Sequence, residues 1–316
     1  MIFSAGRMPL RILALVALLV SGGAPGLSSA SANTANYPSD SAHLANPAGP
    51  GKNINYAQRI VALSPHSVEL LFSIGAGDRI VGTVEYADFP AGAKQIPRIG
   101  NYHGIQIERV VSLKPDLIVA WKGGNKAADL NKLRSLGFRI FYTQPKNISE
   151  ISTDLIALGE LTGNRKQATA RSRRLMDRYL DIKSRYRNRR PVRVFYQLWH
   201  DPFRTVGSGG WLNSLVSDCR GENVFLDAEG DYPQVSMEAV IAKNPEVIIV
   251  PHHPGNNSAN STARTDIWKT WGVVEAVRQE RVFTINGDLL HRFSPRAVDG
   301  LALLCEMIDR GRQSDH

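Results

Sequence analysis

The chain has 316 residues, 43% of them hydrophobic and 21% charged, and 38 Lys and Arg against 29 Asp and Glu give it a formal net charge of +9. That length accommodates two lobes with separate cores, whereas two cysteines without C-x-x-C spacing are too sparse for a zinc site. A basic excess suits acidic partners or nucleic acid, but the export signal described next argues against nucleic acid, and a solvated helix face at residues 165–190 accounts for much of the excess.

Residues 1–32 read as a secretory signal peptide. Arg7 and Arg11 precede the apolar run Ile12 to Val20, and small residues through Ala30 and Ala32 supply the exit. The run is too short to span a bilayer, and its removal lowers the net charge by two. Neither cysteine lies just behind the signal, where a lipid-modified cysteine would stand, so the mature protein is expected to be free in its compartment. Residues 33–57, rich in Asn, Ser, Pro, Ala and Gly with no apolar period, read as a flexible leader.

The first lobe is expected over 58–163. Arg59–Leu63 reads as a strand stopped by Ser64-Pro65, Ser67–Ile74 as a helix ended by Gly75, and Ile80–Val84 as the next strand. A helix near 107–113, a strand over Leu117–Ala120, a helix near 126–136 ended by Gly137 and a strand over Arg139–Tyr142 follow. Between Gly163 and Pro191 there is neither Gly nor Pro, and Leu175, Tyr179, Ile182 and Tyr186 recur three and four apart, so 164–190 reads as one long linking helix with arginines on its outer face. The second lobe, 191–312, opens with the strand Val192–Tyr196. It continues through helices near 211–218 and 236–243, strands over Val247–Val250 and Val282–Ile285, and a closing helix from Pro295. Residues 251–266, which include His252-His253, read as a polar surface loop, because a histidine pair without a third ligand is weak evidence for a metal. Cys219 and Cys305 both fall in this lobe. An even pair in an exported chain reads as one disulfide tying the last helix to the lobe body, a contribution of about 3–5 kcal/mol for a loop of this length; two buried free thiols are the alternative.

One phrase occurs twice. Ile107-Glu108-Arg109-Val110-Val111-Ser112-Leu113-Lys114-Pro115-Asp116-Leu117-Ile118-Val119 returns as Met237-Glu238-Ala239-Val240-Ile241-Ala242-Lys243-Asn244-Pro245-Glu246-Val247-Ile248-Ile249. A Glu, a short helix stopped before a Pro, and an unbroken β-branched run describe a helix feeding a buried parallel strand. Repeated, the unit implies an α/β fold of two similar lobes with a cleft between them, a plan for binding more than for catalysis.

The phrase Ala120-Trp121-Lys122-Gly123-Gly124-Asn125, the stretch Gly104–Asp116, Gly221-Glu222-Asn223-Val224-Phe225 and Pro233-Gln234-Val235-Ser236 resemble the periplasmic cobalamin-binding proteins of bacterial ABC importers, from about Arg59 to about Ile308. The resemblance implies two Rossmann-like lobes joined by one rigid helix, ligand in the cleft, a periplasmic location, and a monomer with no catalytic residue, resident metal or cofactor. Cobalamin or a related corrinoid is then the transported ligand. By the same resemblance Tyr86, Tyr102, Trp121, Phe203 and Tyr232 are binding aromatics, and Asp288 and Arg292 bracket a polar ligand contact. Lys-Gly-Gly after Trp121 is expected to let the backbone approach the ligand, and Trp211 to anchor its helix. Glu108 and Glu238 match positions that meet arginines of the permease dimer. Either Glu also suits a helix start on its own account.

Two departures from the family concern selectivity. Tyrosines stand at 102 and 232 where tryptophan is usual, and Leu289-Leu290-His291 replaces an aromatic pair with an acid. A haem or ferric-siderophore carrier, with Tyr86, Tyr102 or His103 on iron, is therefore an alternative. An exported metal-dependent hydrolase using His66, His103, His200 or His291 with Asp88 or Asp288 is another, but H-E-x-x-H, G-x-S-x-G, a Walker loop and G-x-G-x-x-G are all missing from the sequence.

Overall fold

The computed structural model describes residues 55–101, 103–253 and 265–313. The expected signal peptide, nearly all of the leader, Tyr102 and most of the polar loop after His253 lie outside the described residues. The first strand, β1 (Ile60–Ala62), is wholly buried. It leads to α1 (Pro65–Ser73), which Ser64 caps by accepting the Ser67 N–H, with Pro65 in the first turn where no N–H is needed. Next come β2 (Ile80–Thr83), a small hairpin of β3 (Gly100–Asn101) and β4 (Gly104–Ile105), α2 (Ile107–Leu113), β5 (Leu117–Trp121), α3 (Ala127–Ser135) and β6 (Ile140–Thr143). Four parallel strands form a sheet in the order β2-β1-β5-β6, with Ile60 set between Ile80 and Leu117.

The sequence reading passes over α4 (Ile148–Thr162). Its signals are local ones: Asn147 accepts the Glu150 N–H, Glu150 reaches back to the Lys146 N–H, and Ile148, Ile151, Leu155 and Leu158 bury one face. Gly163, at φ 72°, ends it. Then α5 (Arg165–Tyr186) runs 22 residues, about 33 Å, shorter than the stretch between Gly163 and Pro191 allowed. The second lobe contains β7 (Val192–Tyr196), α6 (Trp211–Asp218), β8 (Gly221–Asn223), α7 (Met237–Lys243), β9 (Val247–His252), α8 (Glu275–Arg278), β10 (Val282–Asn286), α9 (Gly287–His291) and α10 (Ala297–Arg310). Its sheet is again parallel, in the order β10-β9-β7-β8. The structure thus has the two-lobed α/β architecture that the alternation of strand and helix implies.

The repeated phrase folds the same way twice. Both α2 and α7 span seven residues and end on a left-handed residue, Lys114 (φ 46°) and Asn244 (φ 44°), just before Pro115 and Pro245. The acid after each proline then binds the main chain at the start of the neighbouring strand: Asp116 accepts the Gln58 and Arg59 N–H groups, and Glu246 accepts the Arg193 N–H. Arg59 and Arg193 return the contact, donating to the carbonyls of Leu113 and Asn244.

One continuous cluster of buried side chains joins the lobes through α5, whose Ala168, Leu175, Tyr179 and Ile182 pack into it. Polar ties reinforce the helix: Tyr179 donates to Asp218, Lys183 pairs with Asp218, and Arg178 pairs with Asp299. Cys219, at the end of α6, is bonded to Cys305 on α10, so the last helix is fastened to the lobe body as the sequence reading expects.

Asp154 of α4 is buried and accepts the Thr143 hydroxyl. Burial raises its carboxyl to about 7, against the lowering effect of the Thr143 hydrogen bond and with the help of Glu150. Because the folded pKa lies above the unfolded one, this group's contribution is fully present below about pH 4 and is lost as pH rises through about 7. Asp154→Asn should remove that decline, so that its stability relative to the parent improves between pH 4 and 8 by up to about 4 kcal/mol. Urea unfolding of the two proteins across that range checks this, and parallel curves would contradict it.

Candidate ligand-binding site

The C-terminal edges of parallel strands are where an α/β lobe presents functional groups. Beyond β1 and β2 in the first lobe lie His66, Glu69, Tyr86 and Asp88, and β5 ends on Trp121. The matching edge of the second lobe leads to Trp199 after β7, His253 after β9 and Asp288 after β10.

The two edges are locked together by a buried carboxylate. Glu69, 3% exposed, receives Arg296 through Nε at 2.8 Å and a second nitrogen at 2.5 Å, the Ser294 hydroxyl at 2.6 Å and Arg292 at 3.2 Å. The Arg292 guanidinium also reaches Asp88 at 2.7 Å and Asp288 at 3.2 Å. Burial disfavours its charge, but the hydrogen bond to Asp88 and the charges of Asp288, Asp88 and Glu69 outweigh that and raise its pKa. Arg292, a ligand contact by resemblance, is thus 9% exposed and bound to three carboxylates, Glu69 and Asp88 across the lobe boundary and Asp288 of its own lobe. Arg296 additionally lies over the Phe89 ring at 3.8 Å.

Beside the clamp, aromatic rings from both lobes meet. Trp121 packs edge-on against His66 and Phe293, each at 5.6 Å, and Phe293 packs on Trp211 at 5.1 Å. Trp211 is 5% exposed and donates to the Leu290 carbonyl, anchoring α6 as its sequence position suggests. Burial and the nearby Arg292 push His66 down to about 3, which keeps it neutral. Trp121 is half-buried, and the residues after it explain its pose. A Cβ on Gly124 would come within 1.9 Å of the indole, Asn125 accepts the Trp121 N–H, and the Asn125 amide donates to the Leu63 carbonyl. The glycine therefore makes room for Trp121 itself, where the sequence reading expects it to admit the ligand.

Tyr86 is 64% exposed and holds φ at +64°, a conformation costly for a side chain of its size. Arg98 holds the loop in that shape by donating to the carbonyls of Ala87, Ala93 and Ile96. Tyr232 is exposed, with Arg204 fixing its carbonyl. Phe203 packs at 5.6 Å from Phe195 and 5.9 Å from Trp268 in the second lobe's own aromatic cluster, and only part of it reaches the surface. Glu108 and Glu238 are exposed, each the second residue of its short helix. The Glu238 carboxyl is lowered by its own N–H and by the Ser236 hydroxyl.

The structure adds Trp199, Glu69, Arg296 and Phe293, which the sequence reading did not single out, and gives His253 and His291 partners. Trp199, 52% exposed, follows β7 much as Trp121 ends β5. Glu69, Arg296 and Phe293 form the lobe contact. His253 lies against Asp288, with Nδ1 3.1 Å from its carboxylate. His291 is buried, its Nε2 2.9 Å from the Tyr196 hydroxyl, and burial with His253 nearby lowers it to about 3. Among the described residues, no three of His, Cys, Asp and Glu converge closely enough to hold a metal ion.

Residues 60–289 match the model of the periplasmic binding protein family. The chain belongs to that family. This periplasmic binding protein is 37% identical to a vitamin B12-binding protein of Vibrio cholerae over 250 residues, which cover 79% of this chain and 88% of the relative. A vitamin B12-binding protein of Yersinia pestis is 33% identical over 252 residues, 80% of this chain and 86% of that one. The crystal structure of the periplasmic vitamin B12-binding protein of Vibrio cholerae superposes with a TM-score of 0.76 at 36% identity, over 82% of this chain and 99% of that one. A periplasmic heme-binding protein of Roseiflexus has the same fold, with a TM-score of 0.71 at 21% identity over 81% of this chain and 100% of that one.

Removing one partner from a buried ion cluster leaves the other charges uncompensated, at a cost of about 3–5 kcal/mol. Glu69→Gln should lower stability by about 3 kcal/mol, read as the midpoint shift in urea unfolding. A shift of a few tenths of a kcal/mol would mean that the clamp does not hold the lobes.

Proposed function

We propose that this periplasmic binding protein captures cobalamin or a related corrinoid in the cleft between its lobes and delivers it to the permease dimer of an ABC importer. The observation that carries the reading is the correspondence, over 99% of the partner structure and at 36% identity, with a vitamin B12-binding protein of the same two-lobed build. A corrin is a broad, largely apolar ring with amides at its rim, and aromatic faces with a few fixed polar groups suit it. In this reading Tyr86, Trp121 and Tyr232 supply faces, joined by Tyr102 on the strength of the resemblance. Phe203 acts through the edge of its cluster, while Asp288 and Arg292 fix the polar side of the cleft. The protein acts as a monomer without a catalytic step, after export directed by residues 1–32 and removal of that segment.

Titration with cyanocobalamin, followed by tryptophan fluorescence and heat, should show saturable one-to-one binding that dicyanocobinamide and haemin compete for weakly. Trp121→Ala should weaken it about tenfold or more, the worth of one aromatic contact. No response to cyanocobalamin together with tight haemin binding would move the ligand to the haem class.

Glu108 and Glu238 occupy the same place in the two copies of one structural unit, are exposed, and start helices whose N-termini lie at the cleft edge of each sheet. We assign them to docking on permease arginines, an electrostatic contact that sets orientation and association rate. The Glu108→Lys, Glu238→Lys double variant should bind cyanocobalamin like the parent and support no uptake in cells that depend on it. Normal uptake would refute the assignment.

A further inference from the structure

His253 is held as metal-binding histidines are held, yet among the described residues no cluster of three metal-ligating side chains includes it. Its Nδ1 stands 3.1 Å from Asp288 Oδ1, and Asp288 is itself anchored by Arg292 at 3.2 Å. The Arg292 guanidinium on its second oxygen leaves Asp288 Oδ1 placed as an acceptor toward the ring. An acceptor on Nδ1 fixes the tautomer in which Nδ1 carries the proton and Nε2 carries a lone pair. Nε2 has no hydrogen-bond partner among the described residues, and the side chain is 33% exposed. The ring also cannot swing freely. A Cβ at Gly287 would come 2.6 Å from its Cε1, so the imidazole lies directly on that glycine's backbone, and the ring of the buried His291 sits 5.2 Å away.

The position is in the cleft. His253 follows the C-terminal end of β9, and its partner Asp288 shares Arg292 with Asp88 of the other lobe, whose N–H bonds to the Tyr86 carbonyl. An oriented imidazole nitrogen at that edge has one evident use if the cargo has a metal at its centre.

We infer that His253 Nε2 is an axial ligand to the cobalt of the bound corrinoid, making the protein selective for corrinoids whose upper ligand exchanges. This rests on the corrinoid reading above. In the exchange a water molecule leaves Co(III) and the Nε2 lone pair takes its place; no electron is transferred, and the proton on Nδ1 stays in its hydrogen bond to Asp288. A cyanide on cobalt does not leave, so cyanocobalamin binds through the ring contacts alone. Asp288 is the positioning residue, raising the basicity of the imidazole and holding its tautomer.

The test compares aquocobalamin with cyanocobalamin on the full mature protein. Wild-type protein should shift the visible spectrum of aquocobalamin to that of an imidazole-ligated cobalamin, leave the cyanocobalamin spectrum unmoved, and bind aquocobalamin at least tenfold more tightly. In His253→Gln the spectral shift should vanish and the affinity ratio fall to about one, and Asp288→Asn should reduce the ratio with part of the shift retained. A water-ligated spectrum for aquocobalamin bound to wild-type protein would overturn the ligation while leaving the carrier reading intact, and this readout requires no variant to fold. A full shift in His253→Gln would also overturn it. Binding of neither cobalamin would overturn both readings.

Discussion

A carboxylate placed inside a protein is tolerated only when its charge is matched and its oxygens are hydrogen-bonded. Glu69 belongs to α1 of the first lobe, and its four donors, two nitrogens of Arg296, one of Arg292 and the Ser294 hydroxyl, all come from the second. Pulled apart, the lobes would leave Glu69 without its donors and Arg296 without that carboxylate, while Arg292 would keep only Asp288 of its own lobe. The clamp and α5 therefore act as two attachments at different points of the same boundary. Two attachments remove the hinge that a single linker would leave. The cleft is accordingly set before the ligand arrives, and little of the binding energy goes into ordering it.

Rigidity carries through to the individual groups. Trp121 is pinned by the loop that follows it, with Gly124 beneath the ring and Asn125 stitching β5 to β1. Tyr86 is held at positive φ by a loop that Arg98 ties from below. The rotamer and backbone costs of presenting these side chains are thus met by folding. In contrast, Phe203 has most of its contacts in its own lobe, so it shapes the wall more than it offers a free face.

Strands β1, β2, β5, β6, β7, β9 and β10 were legible to within a residue or two because each is a β-branched run closed by Gly, Pro or a polar turn. The second copy of the α2–β5 unit was legible for the same reason that it folds alike: a left-handed cap, a Pro and an acid in fixed order. By comparison α4 was obscured by Ser149, Ser152 and Thr153, weak helix formers that dilute its apolar stripe. Aromatics after strands announce themselves by position. The clamp does not, since Glu69 looks like any acid within a short helix and its partners lie more than 220 residues away. The pairing of His253 with Asp288 is hidden for a related reason, because the carboxylate that orients the ring stands 35 residues later and nothing nearby marks the pair.

Topology also separates the protein's charges. Because α2 and α7 feed β5 and β9 directly, their C-termini sit at the starting edge of each strand and their N-termini, with Glu108 and Glu238, at the edge that carries Trp121 and His253. The connection through α5 has the opposite placement. It leaves α4 where the Leu161 carbonyl meets Ala57, at the start of β1, and arrives at the start of β7. Residues 165–190 carry eleven Lys and Arg against two Asp, an excess as large as the formal charge of the whole chain. The two ends of that basic helix therefore lie at the starting edges of the two sheets, while its middle bridges the lobes, with Ser172 on Ser152 of α4 and Arg178 on Asp299 of α10. The connectivity of the lobes thus sets both acidic helix starts on the cleft edges of the sheets and spans the lobes with the most basic stretch of the chain.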